Sequence, residues 1–431
     1  MKGNESMSEA PPAKKLFMLK VSIRQQILAC FLDGLPHEVN DIAASVGVSR
    51  QTVMKSLSFF MRHKLIETTG KGTASQQGGK RPLLYSLSSD LVLLCVTLWH
   101  SNFRINLYTL TGHLIDRVAL ETPLPDTPQV TAQNIAELSS MLLQKAGITP
   151  DRVYGLSVSV AGPVERSSNK IVFCVHAPQW GNNIPMADYL KPYFSDHTLI
   201  LLESASKIHS GLYYLDDRFQ SKRLLVISIS RYGISGCQIE KGHMLNGTHS
   251  IIGEIGHIPV APTDPEACRC GSRGCLEAII SIPRLLRLIQ EEKTDFQDSP
   301  LLRIGDQLDY NDIFRASEKG DPLAVRCAEY LAFHLAAALR SAIVLYDPDV
   351  VVFAGKTFVG GEDFSRRIQR HLQPFRYYPG SQAPLEILYD EEDLLDRDAF
   401  GSMLTLRWYV FRHVELVEEP PAADSSCSDE A

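Results

Sequence analysis

Residues 39–61 read VNDIAASVGVSRQTVMKSLSFFM. Val39, Ile42, Ala43 and Val46 fall at i, i+3, i+4 and i+7, the period of a short amphipathic helix. Gly47 ends it, since a tight turn needs a left-handed residue and glycine adopts that conformation without strain. Ser49 then caps a third helix whose apolar stripe is Val53, Leu57, Phe60 and Met61. Upstream, Ile23, Ile27, Leu28 and Phe31 predict a first helix from Val21 that stops at Gly34 and Pro36. Downstream, IETTGKGTASQQGGKRPLLYSL, residues 66–87, has two strand-like ends around a glycine-rich basic loop.

A short helix, a glycine turn, a capped third helix and a hairpin make the layout of a winged helix-turn-helix, whose third helix enters the DNA major groove. Residues 21–88 are expected to be such an α+β module. Ser49 and Thr52 suit phosphate or base hydroxyl contacts, Gln51 can pair with an adenine edge, and Arg50 and Lys55 can reach guanine or phosphate. In the wing, Lys71, Lys80 and Arg81 lie beside glycines that permit close approach to a narrow minor groove. The alternative is a module for protein contacts with a merely solvated basic face. Charge favours double-stranded DNA: residues 1–90 hold 12 Lys+Arg against 7 Asp+Glu, while the remainder holds 31 against 43.

Residues 1–20, polar and with four lysines, predict a flexible arm. Beyond Asp90 the apolar, β-branched runs LVLLCVTL (91–98), VYGLSVSV (153–160) and LLVISIS (224–230) alternate with helical stretches such as 131–146 and 321–345, predicting an α/β body. From Glu415 onward there are six acids and no Lys or Arg, so residues 415–431 read as a disordered acidic tail. A chain of 431 residues, 44% hydrophobic, holds material for two or three domains and excludes collagen-like, disordered and miniature disulfide classes. No apolar run approaches the roughly 20 residues of a membrane span, and the first residues lack a signal-peptide core. The expectation is a cytoplasmic protein with no membrane partner. Nine cysteines then imply reduced thiols rather than a disulfide framework.

Residues 253–278, GEIGHIPVAPTDPEACRCGSRGCLEA, place His257, Cys268, Cys270 and Cys275 within nineteen residues. One imidazole and three thiolates satisfy a tetrahedral, structural Zn2+, and Gly271 and Gly274 allow the tight backbone. Arg269 and Arg273 would partly offset the thiolate charge. Free or redox-active thiols are the other reading, although four ligands crowd one loop. Cys95, Cys174, Cys237 and Cys327 lie in apolar surroundings and read as core.

From about Val21 to Val410 the chain resembles the repressor branch of the ROK family. The resemblance rests on the wing GKGTASQQGGKRP, VAGPV at 160–164, GEIGH at 253–257, CRCGSRGCLE at 268–277 and LYDPDVVVFAG at 345–355. It implies a two-lobed actin/hexokinase-like body: a first lobe of residues 89–204 plus about 395–414, and a second of 205–394 carrying the zinc loop. It also implies that Glu254, His257 and Glu277 help hold a sugar's hydroxyls. Gln179, Trp180 and Asn182 fall where the family lines its cleft; Trp180 would stack on a sugar or sit in the core.

Family kinases carry a phosphate loop resembling D-I-G-G-T, whereas Thr97-Leu98-Trp99-His100-Ser101 here has neither the acid nor the glycines. Side chains at Trp99 and His100 would fill phosphate space. The second glycine-rich loop is worn as well, reading SRYGISGC at 230–237. The family's E-N-D motif, source of the catalytic aspartate, reads Glu203-Ser204-Ala205, and Ala205 offers no base. Lys207 and His209 are nearby but read as surface or helix residues. The resulting expectation is a non-enzymatic, dimeric or dimer-of-dimers repressor of carbohydrate genes that senses a sugar or sugar phosphate. The rivals are a sugar kinase carrying a DNA-binding head and a regulator controlled by a protein partner.

Overall fold

A computed structural model describes residues 12–72, 81–99, 102–214, 217–219, 221–240, 243–356, 358–372, 385–391 and 394–413. Lys80, His100 and the acidic segment 415–431 lie outside these residues.

The head comprises α1 (Pro12–Ala29), β1 (His37–Glu38), α2 (Val39–Val46), α3 (Arg50–Arg62), β2 (Ile66–Lys71) and β3 (Leu83–Leu87). The first helix starts nine residues earlier than expected, inside the stretch read as an arm. Pro12 occupies the first helical turn, where its missing N–H costs nothing, and Ala, Lys, Leu and Met follow as good helix formers. Gly47 has φ 71° and donates to Ala43 O, and the Ser49 side chain accepts from Thr52 N. Helix α3 buries Phe59 where the sequence reading placed Met61, which is exposed. The Arg24 guanidinium lies 3.5 Å from the Phe59 ring centroid and holds it against α1. Strands β2 and β3 pair antiparallel with an irregularity between Thr68 and Gly70, and β1 adds to β3.

The first lobe runs through β4 (Val92–Trp99), β5 (Asn102–Thr109), β6 (Leu114–Leu120), α4 (Pro128–Ala146), β7 (Val153–Val160), a small sheet of β8 (Val164–Glu165), β9 (Lys170–Phe173) and β10 (Asn182–Ile184), then α5 (Met186–Leu190) and β11 (Leu199–Ser204); α6 (Ala205–Ser210) follows and leads into the second lobe. Its main sheet has the order β11-β7-β4-β5-β6. The second lobe contains β12 (Arg223–Ser230), β13 (Gly233–Glu240), β14 (His243–Met244), α7 (Leu276–Ile279), α8 (Ile282–Glu291), α9 (Tyr310–Glu318), α10 (Pro322–Tyr346), β15 (Val350–Ala354), α11 (Gly361–Leu372) and β16 (Glu386–Asp390). Its sheet has the order β14-β13-β12-β15-β16.

Counting within each lobe, both sheets run third, second, first, fourth, fifth. In both, two antiparallel hairpins precede two parallel strands. The body is therefore a duplicated unit, and the turn after Trp99 is the counterpart of the turn between Ser230 and Gly233. Central strands β4, β7, β12 and β15 are apolar because helices or the head cover both their faces.

Among the described residues one helix, α10, is by length and composition long and apolar enough to cross a membrane, although Arg326, Glu329 and Arg340 interrupt its apolar run. Here Leu331, Leu335 and Leu339 of that helix are fully buried in the second lobe's core.

The last helix, α12 (Leu394–Arg412), returns to the first lobe and packs on β4, β7, α6 and α1. Gly401 makes this possible, since a Cβ there would come 2.2 Å from Ile208 O. Head and first lobe share one core in which Ile27, Phe31 and Phe60 meet Leu93, Leu404 and Phe411. Arg407, 2% exposed, spans the junction: Nη1 donates to Leu110 O and Thr111 O at 3.2 Å each, and Nη2 to Leu32 O.

Candidate ligand cleft and metal centre

A cavity of about 480 Å3 lies between the lobes, lined by Glu254, His257 and Glu277 from the second lobe, by Trp99 and His176 from the first, and by His209 of α6. Glu254 follows Gly253, whose φ of 93° and approach to Gly236 O leave no room for a side chain. Burial pushes the Glu254 carboxyl above its ordinary range, partly offset by His257, whose Nε2 lies 3.8 Å from Oε2. Glu277 is already engaged: Oε2 accepts from Ile234 N at 2.9 Å, and Oε1 from Arg269 Nε at 2.8 Å. Arg269 Nη2 also donates to Tyr232 O at 2.6 Å. In this geometry Glu277 fastens Arg269 and the β12–β13 turn, and Glu254 and His257 are freer to meet a ligand.

Ala205 lines the cavity at the end of β11. Glu203 does not line it; wholly buried, it accepts from Arg166 Nε at 2.7 Å and lies 3.7 Å from Lys207 Nζ. Lys207 and His209, read from sequence as surface or helix residues, are both buried. His209 lines the cavity, with Nε2 3.2 Å from Asp398 Oδ1, which accepts from Ser159 Oγ at 2.7 Å. The contact between His209 and Asp398 joins positions 189 residues apart, and no local pattern signals it. Asn182 lines the cavity, Gln179 is exposed, and Trp180 is a core residue donating to Pro125 O at 2.8 Å.

The loop of His257, Cys268, Cys270 and Cys275 closes beside this cavity. His257 Nδ1 lies 3.5 Å from Cys268 Sγ, Cys270 Sγ lies 3.8 Å from Cys275 Sγ, and all four ligand atoms fall within 4.8 Å of one another. A tetrahedral ion with bonds of about 2.3 Å to sulfur and about 2.0 to 2.1 Å to nitrogen demands edges of about 3.8 Å and about 3.5 Å. The residues fit a metal ion. Gly274, at φ 66°, is obligatory, since a Cβ would sit 1.8 Å from Ala261 O. Turning Nδ1 to the ion leaves Nε2 as the nitrogen that faces Glu254 and the cleft. The two arginines expected to offset the thiolate charge make hydrogen bonds elsewhere in the loop region: Arg273 donates to Pro265 O and Arg269 to Glu277. Cys95, Cys174, Cys237 and Cys327 are buried in the cores, where desolvation pushes their thiols up to about 12, 11, 12 and 12.

On the head, Arg50, Gln51 and Lys55 are exposed along α3, and Lys71 and Arg81 are exposed at the wing. Ser49 and Thr52 are partly spent on each other, with their hydroxyls 2.9 Å apart and Thr52 half-buried.

Two sheets of one topology closing on a cleft define the actin- and hexokinase-like class. Residues 93–389 match the ROK family, and the chain belongs to it. It is 24% identical over 291 residues to a glucokinase from Halalkalibacterium halodurans, covering 67% of this chain and 87% of that one. To a xylose repressor from Caldicellulosiruptor bescii it is 21% identical over 355 residues, 82% and 87% of the two chains. To the DNA-binding transcriptional dual regulator NagC of Escherichia coli it is 27% identical over 289 residues, 65% and 67%. Among solved structures, a ROK family transcriptional regulator described as a homolog of the E. coli MLC protein superposes with a TM-score of 0.77 at 18% identity, covering 93% of this chain and all of that one. A ROK hexokinase from Thermus thermophilus gives 0.57 at 23%, covering 76% and 99%. The relatives thus include both repressors and sugar kinases.

Proposed function

We propose that the chain is a cytoplasmic, DNA-binding repressor of carbohydrate-metabolism genes that responds to a carbohydrate and does not phosphorylate it. The cleft wall carries this reading. Ala205 stands where a kinase needs a general base, and Trp99 fills the first phosphate turn. Residues 21–88 act as a winged helix-turn-helix, with Arg50, Gln51, Lys55, Lys71 and Arg81 presented to DNA and Lys80 completing the wing. Residues 89–204 with 395–414 form the first lobe and 205–394 the second, whose structural Zn2+ is held by His257, Cys268, Cys270 and Cys275. Glu254 and His257 meet the sugar. A homodimer presents two recognition helices to a palindromic operator.

Ligand binding acts by favouring one arrangement of the lobes over another. Helix α12 is the physical link to the head, since Asp398 lies behind the cleft and Arg407 holds Leu32 O.

The test is selection of genomic fragments by the purified protein at fixed physiological salt, followed by footprinting. The expected outcome is a discrete palindromic footprint in which Gln51→Ala and Arg50→Ala each relax preference at one base pair by about 1–3 kcal/mol. Diffuse, salt-sensitive binding, or a sugar-dependent ATPase activity, overturns the reading.

A further inference from the structure

We propose that the aromatic lining of the cleft around Trp99 is a second ligand subsite, so that the effector is a neutral glycoside: a sugar seated at Glu254 and His257 with a second, uncharged ring attached to it. The inference rests on the carbohydrate-sensing reading above and names the chemical class of the ligand.

At about 480 Å3 the cavity has the size of a site for a ligand larger than the single sugar ring that Glu254 and His257 would hold. Aromatic rings line it as well. Trp99 meets His176 edge to face at 5.0 Å and His209 at 6.0 Å, and His176 meets Tyr232 at 5.5 Å. Such contacts hold the rings in place before any ligand arrives. Trp99 is only partly buried and Tyr232 is 42% exposed, leaving apolar surface that a second ring would remove from water.

Charge decides what kind of ring. Among the described residues lining the cavity, Arg269 is the single Lys or Arg, and it is committed to Glu277. A phosphate group would meet the carboxylates of Glu254 and Glu277 with no cation to offset its desolvation. Neutral polar side chains, Asn182, Ser204, Ser206, Ser228 and Ser230, line the same cavity and suit the hydroxyls of an uncharged ligand.

The experiment is titration calorimetry on the full chain. The probes are p-nitrophenyl glycosides of glucose, galactose, mannose, xylose and N-acetylglucosamine in both anomers, the parent sugars, their 6-phosphates where they exist, and the glucose and xylose disaccharides. At least one glycoside or disaccharide is expected to bind about tenfold or more tighter than its parent sugar, and the 6-phosphate no tighter than the parent. The aryl and disaccharide arms separate an aromatic second ring from a sugar one. In Tyr232→Ala, altered at a half-open position, and in Trp99→Ala, the ratio of glycoside to parent affinity falls toward one. A parent sugar or 6-phosphate that binds as well as every glycoside overturns the subsite, as does a ratio that survives both variants or an absence of binding across the panel. The operator footprint is read without ligand, so the DNA-binding reading stands or falls separately.

Discussion

Cys270→Ser is expected to lower zinc affinity at least about a hundredfold, or about 2.7 kcal/mol, and the second lobe's melting temperature by about 5 to 10 °C. Cys270 is the informative ligand because its side chain is exposed. A serine there disturbs little packing, and exposed substitutions away from special features stay within about 0.5 kcal/mol. Cys275 is 1% exposed, so its serine variant would mix a lost ligand with a buried hydroxyl. The loss should therefore report metal alone, because an ion that binds only the folded chain adds its binding energy to stability. A chelator should bring the wild type down to the variant's melting temperature, and added zinc should restore the wild type only. Metal analysis should give one zinc per wild-type chain. A metal-free wild type with an unchanged melting temperature would refute the site. The loop also carries His257 into the cleft, so the variant should bind the proposed carbohydrate effector more weakly as well.

The clustering of His257, Cys268, Cys270 and Cys275 was legible because they lie within nineteen residues, and the head because α2 and α3 are amphipathic and divided by a left-handed glycine. Met61 and Phe59 were exchanged for a reason outside the helix. Both border the apolar stripe, and Arg24 of α1 decides which is covered. The duplication of the two sheets left no trace in the sequence, since β6 has seven residues and its counterpart β14 only two. What the hydrogen-bond pattern preserves there, side chains do not. The cleft was half legible. The missing base at Ala205 follows from a local motif, but the capture of Glu277 by Arg269 depends on how the metal loop folds back. The His209 contact with Asp398 depends on α12 returning to a lobe it left almost two hundred residues earlier.

Arg407→Met is expected to destabilise the junction between head and first lobe by about 3–5 kcal/mol, the loss of three hydrogen bonds from a cation less what methionine packing regains. Burial lowers the guanidinium pKa only to about 10, so it is charged at neutral pH despite its position. Its acceptors come from two places: Leu32 O after α1, and Leu110 O and Thr111 O in the turn after β5. Arg407→Lys keeps the charge but loses the planar fork, and should recover less than half of the loss. Hydrogen exchange is the direct readout. Gly34, which donates to Phe31 O, and Gly112, which donates to Thr109 O, should lose protection together, before the second lobe does. Unchanged protection at both amides would mean that the shared apolar core of Phe31, Phe60 and Phe411 holds the head without the guanidinium. The functional consequence follows from the same geometry. Under the proposed function, a head released from α12 is expected to keep its affinity for operator DNA, while ligand in the cleft should no longer change that affinity, because the two sites then lack a common element whose position both can bias.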